Sequence, residues 1–381
     1  MPGFSNVVEK SVQAMSIKYN NLVYDMKRSG TEVIVLSLGE AYFDIPLCPM
    51  DDLPFPAIYH YSHSRGVFEL RQKICEYYAR QFGVTIDPET EIIVTAGSKA
   101  AIHFSMMSVL NPGDEVITQE PTWVSYPEQI KLCYGTPVQI PYYESVYDFE
   151  KYLTDKTKMI ILNNPHNPRG QVLSKQELQY LMGLAKRNDI YLLSDEAYSD
   201  FLVGEKFYSL GLFDREKSHI IVCNSISKNF GISGWRVGYV FTNAELIDQI
   251  LKVNQHIITC PPTILEWYLV KHYDEIIQIT YPQIAAVVNT RKEVAKYMDQ
   301  IGLSYLPGSA TFYFFVSIAP SKLTSEEFCT RLLLDEHISV VPGLGYGMSC
   351  DAFVRVSVGT EPIEKIHYGL AKLRELIEKT S

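Results

Sequence analysis

Six short apolar runs, each closed at its C-terminal end by turn or polar residues, constrain this chain more than any other feature. They are EIIVTAG (91–97), EVITQEP (115–121), MIILNNP (159–165), IYLLSDE (190–196), HIIVCNS (219–225) and VGYVFTN (237–243). Continuous apolar runs of this length, bounded by turn signals, read as strands covered on both faces. Helix-like stretches separate them. One spans 98–110, and another starts at the capping box Ser174–Glu177 and carries apolar positions at Leu178, Leu181 and Leu184. The alternation predicts an α/β fold with a mostly parallel central sheet flanked by helices. Past about residue 285 the pattern changes: TFYFFVSI (311–318) and FVRVSVG (353–359) mix with helices at 324–336 and 361–379. That mixture predicts a smaller α+β domain. The expected division is an N-terminal segment, 1–45, packing with the small domain, a large domain, 46–284, and a small C-terminal domain, 285–381.

Composition narrows what such a fold can serve. The 381 residues carry a net charge of −10, which argues against nucleic acid or an anionic membrane as partner. No run of 18 apolar residues predicts a membrane span, and the first residues, MPGFSNVVEKSVQAM, lack the basic start and apolar stretch of a signal peptide. Seven scattered cysteines without a C-x-x-C pair read as reduced thiols, so the expected location is cytoplasmic. Phosphate-loop, zinc-protease and serine-elbow motifs are absent from the sequence. Gly343-Leu-Gly345-Tyr-Gly347 lacks both the spacing and the βαβ setting of a dinucleotide fingerprint, and His60 and His63 are too few to argue for a metal.

In open α/β sheets ligands bind at the C-terminal ends of the strands, and every polar cluster of interest lies at such an end. After 91–96 comes Gly97-Ser98-Lys99, opening a helix whose free N–H groups and dipole suit a phosphate. NNPHNPRG follows 159–162 and holds Asn167 between prolines; Asp195 and Tyr198 follow 190–193. After 219–223 comes SISKNFGISGWR, with Lys228 among Ser225, Ser227, Gly231, Ser233 and Gly234, and Arg236 eight positions on. Each feature alone has a plain reading: a helix cap, a turn asparagine, a solvated lysine. Together they supply two phosphate-binding elements, a carboxylate, a phenol, an amide and an amine. That set fits a phosphorylated aromatic aldehyde held by its phosphate and by a Schiff base, because neighbouring cations and a dry site lower a lysine pKa.

Over nearly its whole length the chain resembles the class I/II aminotransferases, pyridoxal-phosphate (PLP) enzymes of fold type I. The segments that carry the resemblance occur in the family's order: VIVLSLGEAYFDIP (33–46), HYSHSRGVFELR (60–71), TAGSKAAI (95–102), EPTWVSYPE (120–128), NNPHNPRG, SDEAYSDF (194–201), SISKNFGISGWRVGY and FVRVSVG. The resemblance implies that Lys228 holds the cofactor as an aldimine and then shuttles the substrate proton. It also implies that Asp195 pairs with the ring nitrogen and that Tyr198 and Asn167 bond the phenolic oxygen. Trp123 would stack on the ring, and Gly97, Ser98, Ser225, Ser227 and Arg236 would hold the phosphate. Tyr61 would reach the phosphate in a neighbouring subunit, making a homodimer with shared sites. Arg355, with Gly39 and Asn167, would bind the substrate carboxylate. The implied reaction moves an amino group between an L-amino acid and a 2-oxo acid by a ping-pong mechanism. Another PLP reaction on the same fold (β-elimination, decarboxylation or cyclising synthesis) is the alternative. Departures from the family pattern are Ala41 for proline, Arg169 for threonine and a short 46–60 stretch; Lys99 reads as solvated, and Arg65 as an ion-pair or substrate residue.

Overall fold

The computed structural model describes residues 2–46 and 48–381. Its centre is a seven-stranded sheet of β2 (Ile92–Thr95), β3 (Glu115–Gln119), β4 (Thr136–Ile140), β5 (Thr157–Asn163), β6 (Tyr191–Asp195), β7 (Ile220–Ser225) and β8 (Gly238–Phe241), in the order β2-β8-β7-β6-β5-β3-β4. Only β8 runs against the others. All six apolar runs of the central region form strands here. One face packs on Leu178, Leu181, Leu184 and the helix Phe68–Phe82; the other packs on the helices Ser98–Val109 and Ala244–Ile257. Ser174 and Glu177 close their capping box, satisfying two of the helix's first amides reciprocally.

A two-stranded pair, β1 (Ile34–Val35) with β10 (Ile338–Ser339), and a three-stranded sheet, β11 (Val341–Pro342), β12 (Phe353–Ser357) and β9 (Tyr313–Ser317), form a second layer. They pack with the helices Met15–Arg28, Ser325–Glu336 and Ile363–Thr380 around a separate apolar core. The 38-residue helix Thr263–Gln300 serves both cores: Tyr268, Leu269, Tyr273 and Ile276 enter the first, and Ile284, Val288, Val294 and Met298 the second. Pro282 lies inside this helix at the handover and removes one backbone bond there.

The two cores leave a trough between the sheet's C-terminal edge and β12. Because six strands are co-directional, the turns after β2, β5, β6 and β7 all open on that edge.

Candidate active site

The trough is a cleft of about 590 Å³, a volume within the range of small-molecule sites. Its walls carry Gly39, Ser98, Trp123, Asn167, Asp195, Tyr198, Ser225, Ser227, Lys228, Arg236 and Arg355. Of the residues that the family resemblance assigns to cofactor or substrate, Gly97 and Tyr61 do not line it. Gly97 lies immediately behind: at φ +81°, a Cβ there would come within 2.5 Å of Arg236 Nη2. Tyr61 is 86% exposed on the surface.

Lys228 projects from the short helix Ile226–Asn229 that caps β7, and its Nζ donates to the Gly39 carbonyl. Burial pushes the ammonium down to about 8; Glu40 and Asp195 oppose the shift, while Arg355 and Arg236 add to it. A primary amine with that pKa keeps a sizeable neutral fraction near physiological pH, which carbonyl chemistry requires.

Asp195 closes β6, where burial raises its pKa. Two donors work against that: the Tyr126 hydroxyl at 2.7 Å on Oδ2 and the Ala197 amide at 3.2 Å on Oδ1. The Tyr198 hydroxyl accepts from Asn167 Nδ2 at 3.2 Å and lies 3.0 Å from the Tyr313 hydroxyl. Asn167 is itself aimed by Asn163, whose Oδ1 accepts the Asn167 amide at 2.7 Å and whose Nδ2 donates to the Asp195 carbonyl at 3.1 Å. Asn167 Oδ1 is buried without a partner among the described residues.

At the other end of the cleft, the helix Ser98–Val109 presents its N-terminus beneath Arg236. The fit needs glycine twice: a Cβ on Gly238 would sit 2.3 Å from the Ser98 amide, and Gly97 carries the close approach to Arg236. Arg236 adopts a left-handed φ of 57°, and its Nη1 donates to the Ser233 carbonyl at 2.7 Å. A non-glycine residue held this way stores strain, commonly at a functional site. Glu40 Oε1 takes a 2.6 Å bond from Ser233, tying the glycine segment to the same loop.

Arg355 stands in the middle of β12, buried, with Nη2 donating to the Ser37 carbonyl at 2.6 Å. Its guanidinium lies over the rings of Tyr313 at 4.7 Å and Tyr346 at 5.6 Å, and its Nε has no partner among the described residues.

Sequence reasoning missed Tyr126, Asn163, Tyr313 and Glu40. Tyr126 and Asn163 stand in the quoted EPTWVSYPE and NNPHNPRG segments and Glu40 follows Gly39, so adjacency was the available signal for those three; Tyr313 reaches the site only through the second layer. Two open assignments acquire positions. Arg65 lies outside the cleft, ion-paired with Asp248 and donating to the Glu89 carbonyl at 2.8 Å. Lys99 lines the cleft mouth with its ammonium 5.1 Å over the Trp123 ring, and burial together with Arg236 lowers its pKa. Arg169 ties its turn to the second layer by donating to the Pro307 carbonyl at 3.2 Å. The Gly343–Tyr346 stretch is a short 3₁₀ turn packed in a small apolar cluster with Phe315.

These residues fit PLP: a helix start, hydroxyls and a guanidinium for a phosphate, a buried carboxylate for a ring nitrogen, a phenol and an amide for a phenolic oxygen, and a lowered-pKa amine. Residues 31–373 match the family model of the class I and II aminotransferases. The chain is 34% identical over 372 residues to an aspartate aminotransferase of Bacillus sp. strain YM-2, covering 90% of this chain and 92% of that one. It is 32% identical over 363 residues to the (5-formylfuran-3-yl)methyl phosphate transaminase of Methanocaldococcus jannaschii, covering 94% and 95%. Its structure aligns with the Thermus thermophilus aspartate aminotransferase solved with maleate at a TM-score of 0.90 and 28% identity, over 99% of this chain and all of that one. The chain belongs to the class I and II aminotransferases, and is a PLP-dependent aminotransferase of fold type I.

Proposed function

We propose that the cleft moves an amino group between an L-amino acid and a 2-oxo acid, with Lys228 as covalent cofactor anchor and proton carrier. One observation carries this reading: an amine lowered to about 8 shares a single cleft with a buried carboxylate, a phosphate-binding helix start and a buried arginine free at Nε. When bound, the cofactor supplies an electron-withdrawing ring that accepts the electron pair left at the substrate Cα. Asp195 would pair with the ring nitrogen and keep it protonated, and the Tyr126 hydroxyl on Asp195 Oδ2 favours its ionised form and orients it for that task. Tyr198 and Asn167 would hold the phenolic oxygen, and Trp123 would cover a ring face. Ser98, Ser225, Ser227 and Arg236 would grip the phosphate, with Gly97 giving the room. With the cofactor bound and its amine released by substrate, Lys228 would take the substrate Cα proton as general base and give it up again as general acid. Arg355 binds the substrate carboxylate beside Gly39 and Asn167, which selects amino acids over simple amines.

The working unit in this reading is a homodimer, supported by Tyr61, a tyrosine exposed on the segment that the family resemblance assigns to the partner's phosphate. A cytoplasmic location is supported by seven cysteines that all stand free. The division at 45 and 284 is supported by the two cores, although the helix Thr263–Gln300 joins them. The relatives' names span aspartate and a furan phosphate, so the substrate side chain stays general here.

Mixing purified holoenzyme with single amino acids tests the reading. The expected result is conversion of the cofactor's aldehyde form to its amine form with stoichiometric 2-oxo acid. Release of ammonia without that conversion would instead mark a lyase. Wild-type turnover by Lys228→Ala would sink the assignment.

A further inference from the structure

Away from the cleft, three side chains from distant parts of the chain converge. Cys48 lies in the segment that leaves the glycine stretch, and His272 and Glu275 lie one turn apart on the helix Thr263–Gln300. One ligand-capable atom from each falls within 4.8 Å of the other two. The sequence offered no motif for this cluster, because more than 200 positions separate the cysteine from the histidine.

The hydrogen bonding of His272 is already arranged as a metal ligand's would be. Its Nε2 lies 2.9 Å from the Pro49 carbonyl, which can only accept, so Nε2 carries the proton. The other ring nitrogen, Nδ1, sits 3.1 Å from Glu275 Oε2, at ion-pair distance. A proton or a metal ion between these two atoms satisfies both. A histidine that donates its far N–H to a backbone carbonyl is the usual outer-shell arrangement of a metal-bound imidazole. The Cys48 thiol completes the set, buried at 3% exposure, while the exposed Glu275 leaves a path to solvent.

We propose that Cys48, His272 and Glu275 bind a zinc(II) ion. A thiolate, an imidazole and a carboxylate suit this borderline-soft ion, with a water in the fourth position. Bonds of about 2.0–2.3 Å in a tetrahedron place ligand atoms about 3.3–3.6 Å apart, so atoms already within 4.8 Å of one another need only a small closure to hold the ion. Binding releases the thiol proton to solvent, and the two anionic ligands neutralise the ion. The ion ties the segment around 48 to the long helix. That segment is already held there by the Cys48 amide donating to Tyr268 at 3.2 Å. Tyr268 packs edge-on against Trp235 at 4.9 Å, and Trp235 precedes Arg236, so two side chains separate the clip from the cleft-lining arginine.

The test uses full-length holoenzyme stripped with a chelator and dialysed, then titrated with zinc against a zinc-sensitive fluorescent dye. The expected result is one zinc per chain, bound more than about 100-fold more weakly by Cys48→Ser and His272→Gln and less tightly by Glu275→Gln. Cys260→Ser, a partly exposed thiol outside the cluster, should bind as wild type. Cobalt(II) in place of zinc should give the visible bands of a tetrahedral site, absent in Cys48→Ser. Wild type that takes up no stoichiometric zinc, or a Cys48→Ser protein that binds it as wild type does, overturns the proposal. Glu275 is exposed, so Glu275→Gln reports binding even where the buried variants fail to fold.

Discussion

Cofactor-free protein should capture PLP covalently at a rate that climbs through pH about 8, two to three units below an ordinary lysine. Burial in the cleft floor does most of this. Glu40 and Asp195 favour the charged amine, Arg355 and Arg236 the neutral one, and the balance brings Lys228 from 10.5 to about 8. At pH 7.5 roughly a quarter of such amines are neutral, against about one in a thousand for an unshifted lysine, so capture gains roughly 200-fold. Stopped-flow absorbance of the apoprotein mixed with excess cofactor gives the profile. Glu40→Gln removes an opposing charge and should move the midpoint toward lower pH. The sign carries over to stability. Between about pH 8 and 10 the unfolded chain holds a Lys228 proton that the folded chain has lost, so stability rises with pH in that window. Lys228→Met should flatten the rise; above about pH 10 buried Tyr77 and Tyr78, whose pKa values are raised, reverse it. A capture rate still climbing at pH 10, or a Glu40→Gln midpoint that moves upward, would refute the electrostatic account of Lys228.

Other residues give equally direct outcomes. Tyr126→Phe removes a 2.7 Å donor from Asp195, a charge-assisted bond of about 1.5–3 kcal/mol. Asp195 should then ionise about 1–2 units higher, and the acid limb of the kcat profile should move up with it; an unmoved limb contradicts the role. Arg355→Lys loses the planar fork, so KM for amino acids should rise about 10- to 100-fold while the reactivity of simple amines stays level in the same half-reaction assay. Glu266 is buried beneath the 62–67 segment, which reaches it through Ser62 Oγ at 2.7 Å and the Val67 amide at 2.9 Å. Burial pushes its carboxyl up to about 7 despite those donors. A raised carboxyl stabilises the fold below about pH 4.5 and loses that contribution as pH rises through 7. Glu266→Gln should therefore erase part of the fall in urea midpoint between pH 5 and 8, and a wild-type-like slope would contradict this.

The central strands were legible because their signal is local. MIIL, YLL and HIIVC are apolar on both faces, and a strand buried on both sides needs no other information. The capping boxes at Ser174 and Thr324 were legible for the same reason, since both partners lie within one helical turn. β4 escaped notice. It is the sheet's edge, largely half-exposed, and it carries Pro137, so its TPVQI pattern lacks the apolar run of its neighbours. The helix Thr263–Gln300 also escaped, because its buried face changes partners near Pro282 and no single apolar stripe runs its length. At the cleft, the sequence by itself determined which residue types close each strand: an amine, a carboxylate, an amide, a phenol and a glycine-opened helix. Their convergence, the aiming of Asp195 by Tyr126 and of Tyr198 by Tyr313, and the meeting of Cys48 with His272 were decided only by strand order and by the docking of the second layer. Backbone hydrogen bonds and helix caps act over a few residues, whereas these contacts join positions that the chain brings together only once both cores have packed.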